Sequence, residues 1–326
     1  MLVIPDLGVF PDDAGLVPLE MSSDRAFAAG RDGVLSIIAT GDRRVEFICW
    51  ERHAIALVGS ALGYPAYYPV RPVSVEAPVR AVLMDLDGTS VKSEHFWVWI
   101  IERTTASLTG NPRFALEAAD LPFVSGHSVS EHLEYCIRKY APGHTVEAAR
   151  RFYFEHAHRE MHEILEGRGR VDAFVPAEGL KEFLLELKAR GIRIALVTSG
   201  LYEKAYPEIV AAFRQLSLGD PASFYDAIIT AGFPLRKGEV GTLGELSPKP
   251  HPWLYAEVCR VGLGIPETQN NHVVGIEDSG AGVCAVRLAG FGVIGFDGGN
   301  IIESGTRGLC DHYCRTFEDI LAIIAD

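Results

Sequence analysis

Five short apolar runs constrain this chain more than any other feature of its sequence: VRAVLMD (79–85), IRIALVT (192–198), DAIIT (226–230), HVVGI (272–276) and FGVIGF (291–296). Each is aliphatic or β-branched, and continuous rather than alternating. A strand with water on one face alternates polar and apolar residues; a strand covered on both faces has no reason to. The runs therefore predict strands buried within a parallel sheet. Helical patterns lie between several of them. Residues 177–190 (AEGLKEFLLELKAR) place Leu180, Phe183, Leu184 and Leu187 on one face and stop at Gly191. Ser279 is placed to cap a helix running to Ala289, ahead of Gly290. Such alternation predicts an α/β fold, a doubly wound parallel (Rossmann-like) sheet whose ligands bind beyond the carboxyl ends of the strands.

Over a hundred residues separate the first run from the second, far too many for one crossover. Only helical patterns occupy the gap: Ser93 to Leu108, Ser130 to Tyr140 and Val146 to Leu165. Residues 93–175 are therefore read as an inserted α-helical cap domain over the strand ends, with Pro176 marking the return to a core of 79–92 and 176–326. Residues 1–78 differ. GVLSIIATG, RVEFICW, HAIALVG and AYYPV, separated by Gly, Pro and Asp, read as a small β-rich extension, and PVRPVSVEAPV (69–79) reads as a linker. This extension carries no visible chemistry and no repeat.

With 326 residues, 48% apolar and 22% charged, the composition is that of a soluble globular protein. The net charge of -13 argues against nucleic acid, whose phosphates are bound by clustered Lys and Arg. A small phosphorylated substrate remains compatible, because a bound divalent cation reverses the local field. The opening residues MLVIPDLGVFPDD lack a basic leader, and no apolar run nears the roughly 18 residues of a membrane span, so a cytoplasmic protein with no membrane partner is expected. Nothing in the sequence specifies an oligomeric state. The six cysteines are irregularly spaced; Cys310 and Cys314 make half a zinc site with no second pair to complete it, and reduced thiols are the better reading. His158 and His162 share a helix face, but Arg159 stands where a zinc protease helix needs Glu, so solvated histidines are expected.

The chemistry-bearing residues follow the runs. The first ends in Asp85-Leu86-Asp87-Gly88-Thr89, two carboxylates that emerge on the same side of an extended strand before a glycine that lets the backbone turn. Acidic turns after strands are common, and calcium loops use the same pattern, but the later ligands of an EF-hand are missing. The second run ends in Thr198-Ser199-Gly200, a hydroxyl and backbone N–H groups suited to a phosphoryl oxygen. Lys249, between two prolines in SPKPHP, opens a helix from Trp253. The fourth run ends in Glu277-Asp278-Ser279, hard oxygens suited to Mg²⁺. Each element alone has a bland reading as a cap, a surface lysine or an acidic helix start. Their ordered coincidence does not.

The ordered set DLDGT, VTSG, SPKP and GIEDS closely resembles the haloacid dehalogenase-like (HAD) superfamily over about residues 79–326. The resemblance implies a phosphomonoester hydrolase that works through an aspartyl-phosphate, with Asp85 as nucleophile and Asp87 as general acid and base. It implies that Thr198 and Lys249 hold the transferring group, with Ser199 and Gly200 on the substrate side. It further implies Mg²⁺ as cofactor, bound by Asp85, Glu277, Asp278 and the backbone carbonyl of Asp87.

Within the superfamily, Asp87 argues for phosphoryl chemistry rather than dehalogenation. The helical insertion resembles the cap of the sugar-phosphatase and β-phosphoglucomutase group, and GHSVSEHL (126–133) resembles its specificity loop, which puts His127 and Ser128 on the substrate. The mutase pattern has Arg after that Ser; here Val129 follows. Lys92 replaces an acid of the family pattern, His95 stands two positions early, and Trp97 and Trp99 are read with Ile100 as cap core. A bisphosphate mutase needs the extra cation, so a phosphatase acting on a small sugar or polyol phosphate is the favoured expectation. The alternatives are a β-phosphoglucomutase-like mutase and a non-catalytic binding or regulatory protein that works through residues 1–78. The glycine-rich segment 231–250 is read as a mobile loop near Lys249.

Overall fold

The computed structural model describes residues 1–59, 66–121, 129–170, 173–231 and 247–325. The chain divides into two compact units, one of Met1–Ser90, Ala177–Tyr202 and Ala222–Asp326, the other of Val91–Pro176 and Glu203–Pro221. Among the described residues no helix is long and apolar enough to cross a membrane.

The first unit opens with a ribbon of β1 (Leu2–Ile4) and β2 (Gly8–Phe10). A five-stranded antiparallel sheet follows: β3 (Val17–Leu19), β4 (Ser36–Ala39), β5 (Val45–Cys49), β6 (Ala54–Val58) and β7 (Ala66–Pro69), in sequence order. Its central strands are apolar on both sides, and the two-residue period sorts them. Ile38, Phe47, Ala56 and Val58 face the main core, where they join Ala81, Leu83, Val273 and Val286. Ile37, Ile48 and Leu57 face the other way, under Leu19, Phe27 and Trp50. The β-rich reading of 1–78 therefore holds, but the segment shares one hydrophobic core with the large sheet. Residues 70–80 are likewise no free tether: Glu76 N–H donates to the Asn271 carbonyl at 2.8 Å and Arg80 N–H to that of His272 at 2.8 Å.

The large sheet begins with β8 (Ala81–Asp85), after which the chain enters the second unit. There β9 (Val91–Lys92) pairs antiparallel with β10 (Val175–Pro176), a ribbon the helical reading of the insertion lacked. Between them lie α1 (Glu94–Thr109), α2 (Val129–Tyr140) and α3 (Val146–Leu165). Phe96 and Phe174 pack with ring centroids 4.6 Å apart, and Ile100 is fully buried. The Trp97 indole donates to Glu208 Oε1 at 3.0 Å.

Back in the first unit, α4 (Leu180–Ala189) buries the predicted Leu180, Phe183, Leu184 and Leu187. Then come β11 (Arg193–Leu201), α5 (Tyr202–Leu216, most of which belongs to the second unit), β12 (Ala227–Ala231) and α6 (Trp253–Glu257). β13 (Val273–Glu277), α7 (Gly280–Ala289), β14 (Gly292–Phe296), β15 (His312–Cys314) and α8 (Phe317–Ala325) complete the chain. The strands form one parallel sheet in the order β12-β11-β8-β13-β14-β15. All five predicted strands are present, within one to three residues at their ends. The sixth, β15, arises from HYC, too short to read as a strand. Ser279 caps α7 as expected, accepting from Gly282 N–H at 3.1 Å. All six cysteines are free.

The second unit contains a buried carboxylate of its own. Asp120, with no exposed surface, accepts from Tyr135 Oη at 2.6 Å, from Lys139 Nζ at 2.6 Å and from Tyr140 Oη. Burial works against its charge, but the Lys139 ammonium and the two phenols outweigh it and hold the carboxyl well below its ordinary range. A folded-state value depressed in this way contributes stability that is complete above the ordinary carboxylate pKa, about 3.9, and is lost as pH falls through the lower folded-state value. Asp120→Asn is expected to lower the thermal midpoint at neutral pH and to flatten the acid limb of the stability curve. Scanning calorimetry across that range checks this; an acid limb of unchanged slope in the variant would contradict it.

Candidate active site

β8 lies at the centre of the sheet, hydrogen-bonded to β11 and β13, and its register sets the site. Asp85 is opposite Val197, and Met84 is opposite Ile276, so Asp85, Thr198 and Glu277 leave the same edge of three adjacent strands. Asp85 is nearly enclosed, and its backbone carbonyl accepts from Ser90 Oγ at 2.6 Å. Gly88 turns the chain with φ +89°, where a side chain is strained, and a Cβ there would lie 2.0 Å from Asp278 Oδ2. Only a glycine permits this approach of the first loop to the fourth strand end.

Lys249 is drawn into the middle. Its side chain is 6% exposed, and Nζ contacts the Asp85 carboxylate, Glu277 Oε1 at 2.6 Å and the Val197 carbonyl at 3.3 Å. Its backbone N–H donates to Ser199 Oγ at 3.0 Å, so Ser199 holds the lysine's loop. Thr198 Oγ1 donates to Asp87 Oδ2 at 3.3 Å and accepts from Gly200 N–H at 2.9 Å. Thr198, Ser199 and Gly200 thus form one polar turn between Asp87 and Lys249.

The carboxylates of Asp85, Glu277 and Asp278 converge, offering oxygens within 4.8 Å of one another, the one such cluster of metal-ligand type among the described residues. The Asp87 carboxylate lies outside it. Glu277 has no exposed surface, accepts from Tyr255 Oη and takes Ser279 Oγ at 3.2 Å. Gly282, on the first turn of α7, leaves the room that Glu277 fills: a Cβ there would stand 1.9 Å from its carboxyl group.

Charge is not balanced within this arrangement. Burial pushes the Asp85 carboxyl well above its ordinary value, Lys249 offsets part of the rise, and the Glu277 and Asp278 carboxylates add to it. Asp278 is pushed up to about 7, first by burial and then by Glu277. Burial disfavours the Lys249 ammonium, but Asp85 and Glu277 outweigh that and hold it above its usual range. One cation among three buried carboxylates leaves a concentrated negative charge surrounded by hard oxygen donors. This donor set fits a divalent cation such as Mg²⁺.

His127 and Ser128 lie outside the described residues, as does most of 231–250. Lys92 and His95 are exposed and belong to the other unit. His158 is exposed and His162 faces Glu166 at 3.3 Å, in keeping with solvated histidines. Three residues of the first unit escaped the sequence reading. Tyr255 holds Glu277, with Lys249 Nζ 5.3 Å from the centre of its ring. His251 is buried two residues after Lys249, and Tyr68, from β7, donates to its Nδ1 or accepts from it at 2.8 Å. A tyrosine six residues after the motif lysine was the only available signal for Tyr255; nothing marked Tyr68.

A family model described as haloacid dehalogenase-like hydrolase matches residues 79–290. No curated protein matches the chain. Among solved structures, CbbY from Rhodobacter sphaeroides in complex with phosphate is 20% identical, with a TM-score of 0.53 over 76% of this chain and 100% of that one. A CbbY variant in complex with xylulose-(1,5)bisphosphate is 21% identical, with a TM-score of 0.51 over 73% of this chain and 95% of that one. A predicted phosphoglycolate phosphatase from Haemophilus somnus is 19% identical, with a TM-score of 0.56 over 76% and 98%. Likeness at such identities is one of fold. With the family match spanning most of the chain, and with the four motif loops brought to one sheet edge, the chain belongs to the haloacid dehalogenase-like hydrolases.

Proposed function

We propose that this protein is a cytoplasmic, Mg²⁺-dependent phosphatase that hydrolyses a small phosphorylated metabolite, a sugar or polyol phosphate, through an aspartyl-phosphate. The observation that carries the reading is the buried Asp85 carboxylate, paired with Lys249 and set among Glu277 and Asp278. Asp85, Glu277 and Asp278, with the backbone carbonyl of Asp87, would hold the cation. When bound, it neutralises phosphate charge and keeps the Asp85 carboxylate ionised. CbbY, whose variant was solved with a sugar bisphosphate, supports the substrate class.

In the first step an Asp85 oxygen attacks phosphorus, the new acyl–phosphate bond forms, and the ester P–O bond breaks. Asp87, protonated and hydrogen-bonded to Thr198 Oγ1, gives its proton to the departing alkoxide. In the second step the Asp87 carboxylate takes a proton from water, the water oxygen attacks phosphorus, and the bond to Asp85 breaks to release phosphate. The Lys249 ammonium and the Thr198 turn fix the phosphoryl oxygens and stabilise their charge through both steps. The separate helical unit is the natural carrier of substrate selection, with Val129 in place of the mutase arginine favouring a monophosphate.

Turnover of p-nitrophenyl phosphate and of a panel of sugar and polyol phosphates tests the reading. Release of phosphate is expected with Mg²⁺ and should vanish with a chelator. Asp85→Asn should lower kcat by on the order of 10⁴-fold, and Asp87→Asn by about 10²–10⁴-fold. Turnover that survives Asp85→Asn sinks the mechanism, whereas activity that appears only with a bisphosphate primer points to the mutase. Gly282→Ala gives a second test. In an ordinary helix this change stabilises by up to about 1 kcal/mol. Here the added methyl displaces Glu277, so a loss of about 1–3 kcal/mol in urea unfolding is expected, with a 10–100-fold rise in the Mg²⁺ concentration for half-maximal activity. A stabilised variant with unchanged metal dependence would contradict it.

A further inference from the structure

Residues 1–78 carry no motif of the family, and the match to it begins only at residue 79. Two places where this segment meets the rest of the first unit lie directly behind catalytic loops. At the first, the Tyr68 hydroxyl sits 2.8 Å from His251 Nδ1, and Tyr68 packs edge-on to Trp253 with ring centroids 6.3 Å apart. His251 is buried, and burial lowers its pKa, so the ring is neutral near pH 7. The contact between the Tyr68 hydroxyl and His251 Nδ1 fixes the orientation of the ring. Tyr68, on β7, thus holds the residues immediately following Lys249 through both His251 and Trp253.

At the second place, Gly41 N–H donates to the Ser304 carbonyl at 2.7 Å, and a Cβ on Gly15 would lie 2.9 Å from Gly305. The 299–305 loop in turn backs the fourth motif. Asn300 Oδ1 accepts from Gly280 N–H at 2.9 Å, and a Cβ on Gly299 would fall 2.2 Å from the Asp278 carbonyl. Backbone packs on backbone at Gly15, Gly41 and Gly299, so displacing the segment would shift the loop behind Asp278.

We propose that Tyr68, acting through His251, is a positioning residue for Lys249. The Gly15 and Gly41 turns hold the loop behind Asp278 in the same way. The kinetic consequence rests on the phosphatase reading. Lys249 must sit against the phosphoryl group during transfer, and small displacements of such a group are costly to rate.

The test compares Tyr68→Phe, His251→Leu and His251→Asn in the full-length chain. Asparagine keeps a hydrogen-bonding group where Nδ1 stands; leucine does not. Tyr67→Phe is the control, since Tyr67, beside Tyr68 on β7, bonds Asp24 instead. Each protein is assayed with p-nitrophenyl phosphate and Mg²⁺. Each is also treated with a water-soluble acetylating reagent, and modification of Lys249 is followed by mass spectrometry. Tyr68→Phe and His251→Leu are expected to lower kcat by about 10–100-fold with KM within about twofold, and to speed acetylation of the otherwise buried Lys249. His251→Asn should recover much of the rate, and Tyr67→Phe should match wild type on both measures. Wild-type kcat in Tyr68→Phe overturns the proposal, as does an equal loss in His251→Asn and His251→Leu that tracks their melting temperatures. If the wild type itself hydrolyses nothing, the phosphatase reading fails separately, and the acetylation rates alone decide the positioning: unchanged rates overturn it.

Discussion

Everything at the strand ends depends on the position of Lys249 between Asp85 and Glu277. Three carboxylates cannot be gathered in a nearly dry pocket without opposite charge, because each loses its hydration and repels the others. Lys249 supplies part of that charge. A lysine on a flexible loop would move away to water, and here it is prevented from doing so on several sides. Val197 and Ser199 bind it from β11, the ring of Tyr255 lies beside it, and His251 anchors the chain just beyond it. The remaining imbalance is what makes this set of oxygens suited to a divalent cation.

The fold was legible where chemistry is local. Continuous apolar runs marked strands covered on both faces, and Ser279 with Gly290 marked both ends of α7. Three of the four motifs were legible because they sit at strand ends, which a parallel sheet brings to one edge, and Lys249 because it opens a helix. What sequence could not supply was anything created by tertiary register. Tyr255 matters because α6 passes beneath Glu277, and His251 because β7 arrives beside it; neither fact has a local signature. The strand His312–Cys314 was hidden by its length, since three residues carry no period. The linker reading of 69–79 followed its prolines, but backbone hydrogen bonds to Asn271 and His272 fix that segment to the core.

The N-terminal sheet shows how a sequence pattern can be read correctly and placed incorrectly. Strands β4, β5 and β6 have two apolar faces, and a small free-standing module has use for only one. The second face was the sign that the segment is covered from both sides. Ile38, Phe47 and Ala56 join the cluster of the large sheet, while Ile37, Ile48 and Leu57 close a smaller one beneath Phe27 and Trp50. Boundaries drawn where a family pattern begins therefore cut through a continuous hydrophobic core.

That continuity has a consequence for how the protein comes into being. Tyr68 and His251 are 183 residues apart, and Lys249 and Asp85 are 164 apart. Synthesis delivers the two-faced strands first, long before the polypeptide that covers their inner side. Until then a surface of isoleucine, phenylalanine and valine remains wet beside unpaired strand edges, the condition in which chains associate wrongly. Contacts of such separation close late because the loop entropy is lost before any packing is gained. The cluster at the strand ends is thus assembled late in folding, and a chain that stalls part-way carries Asp85 without the lysine that offsets its charge.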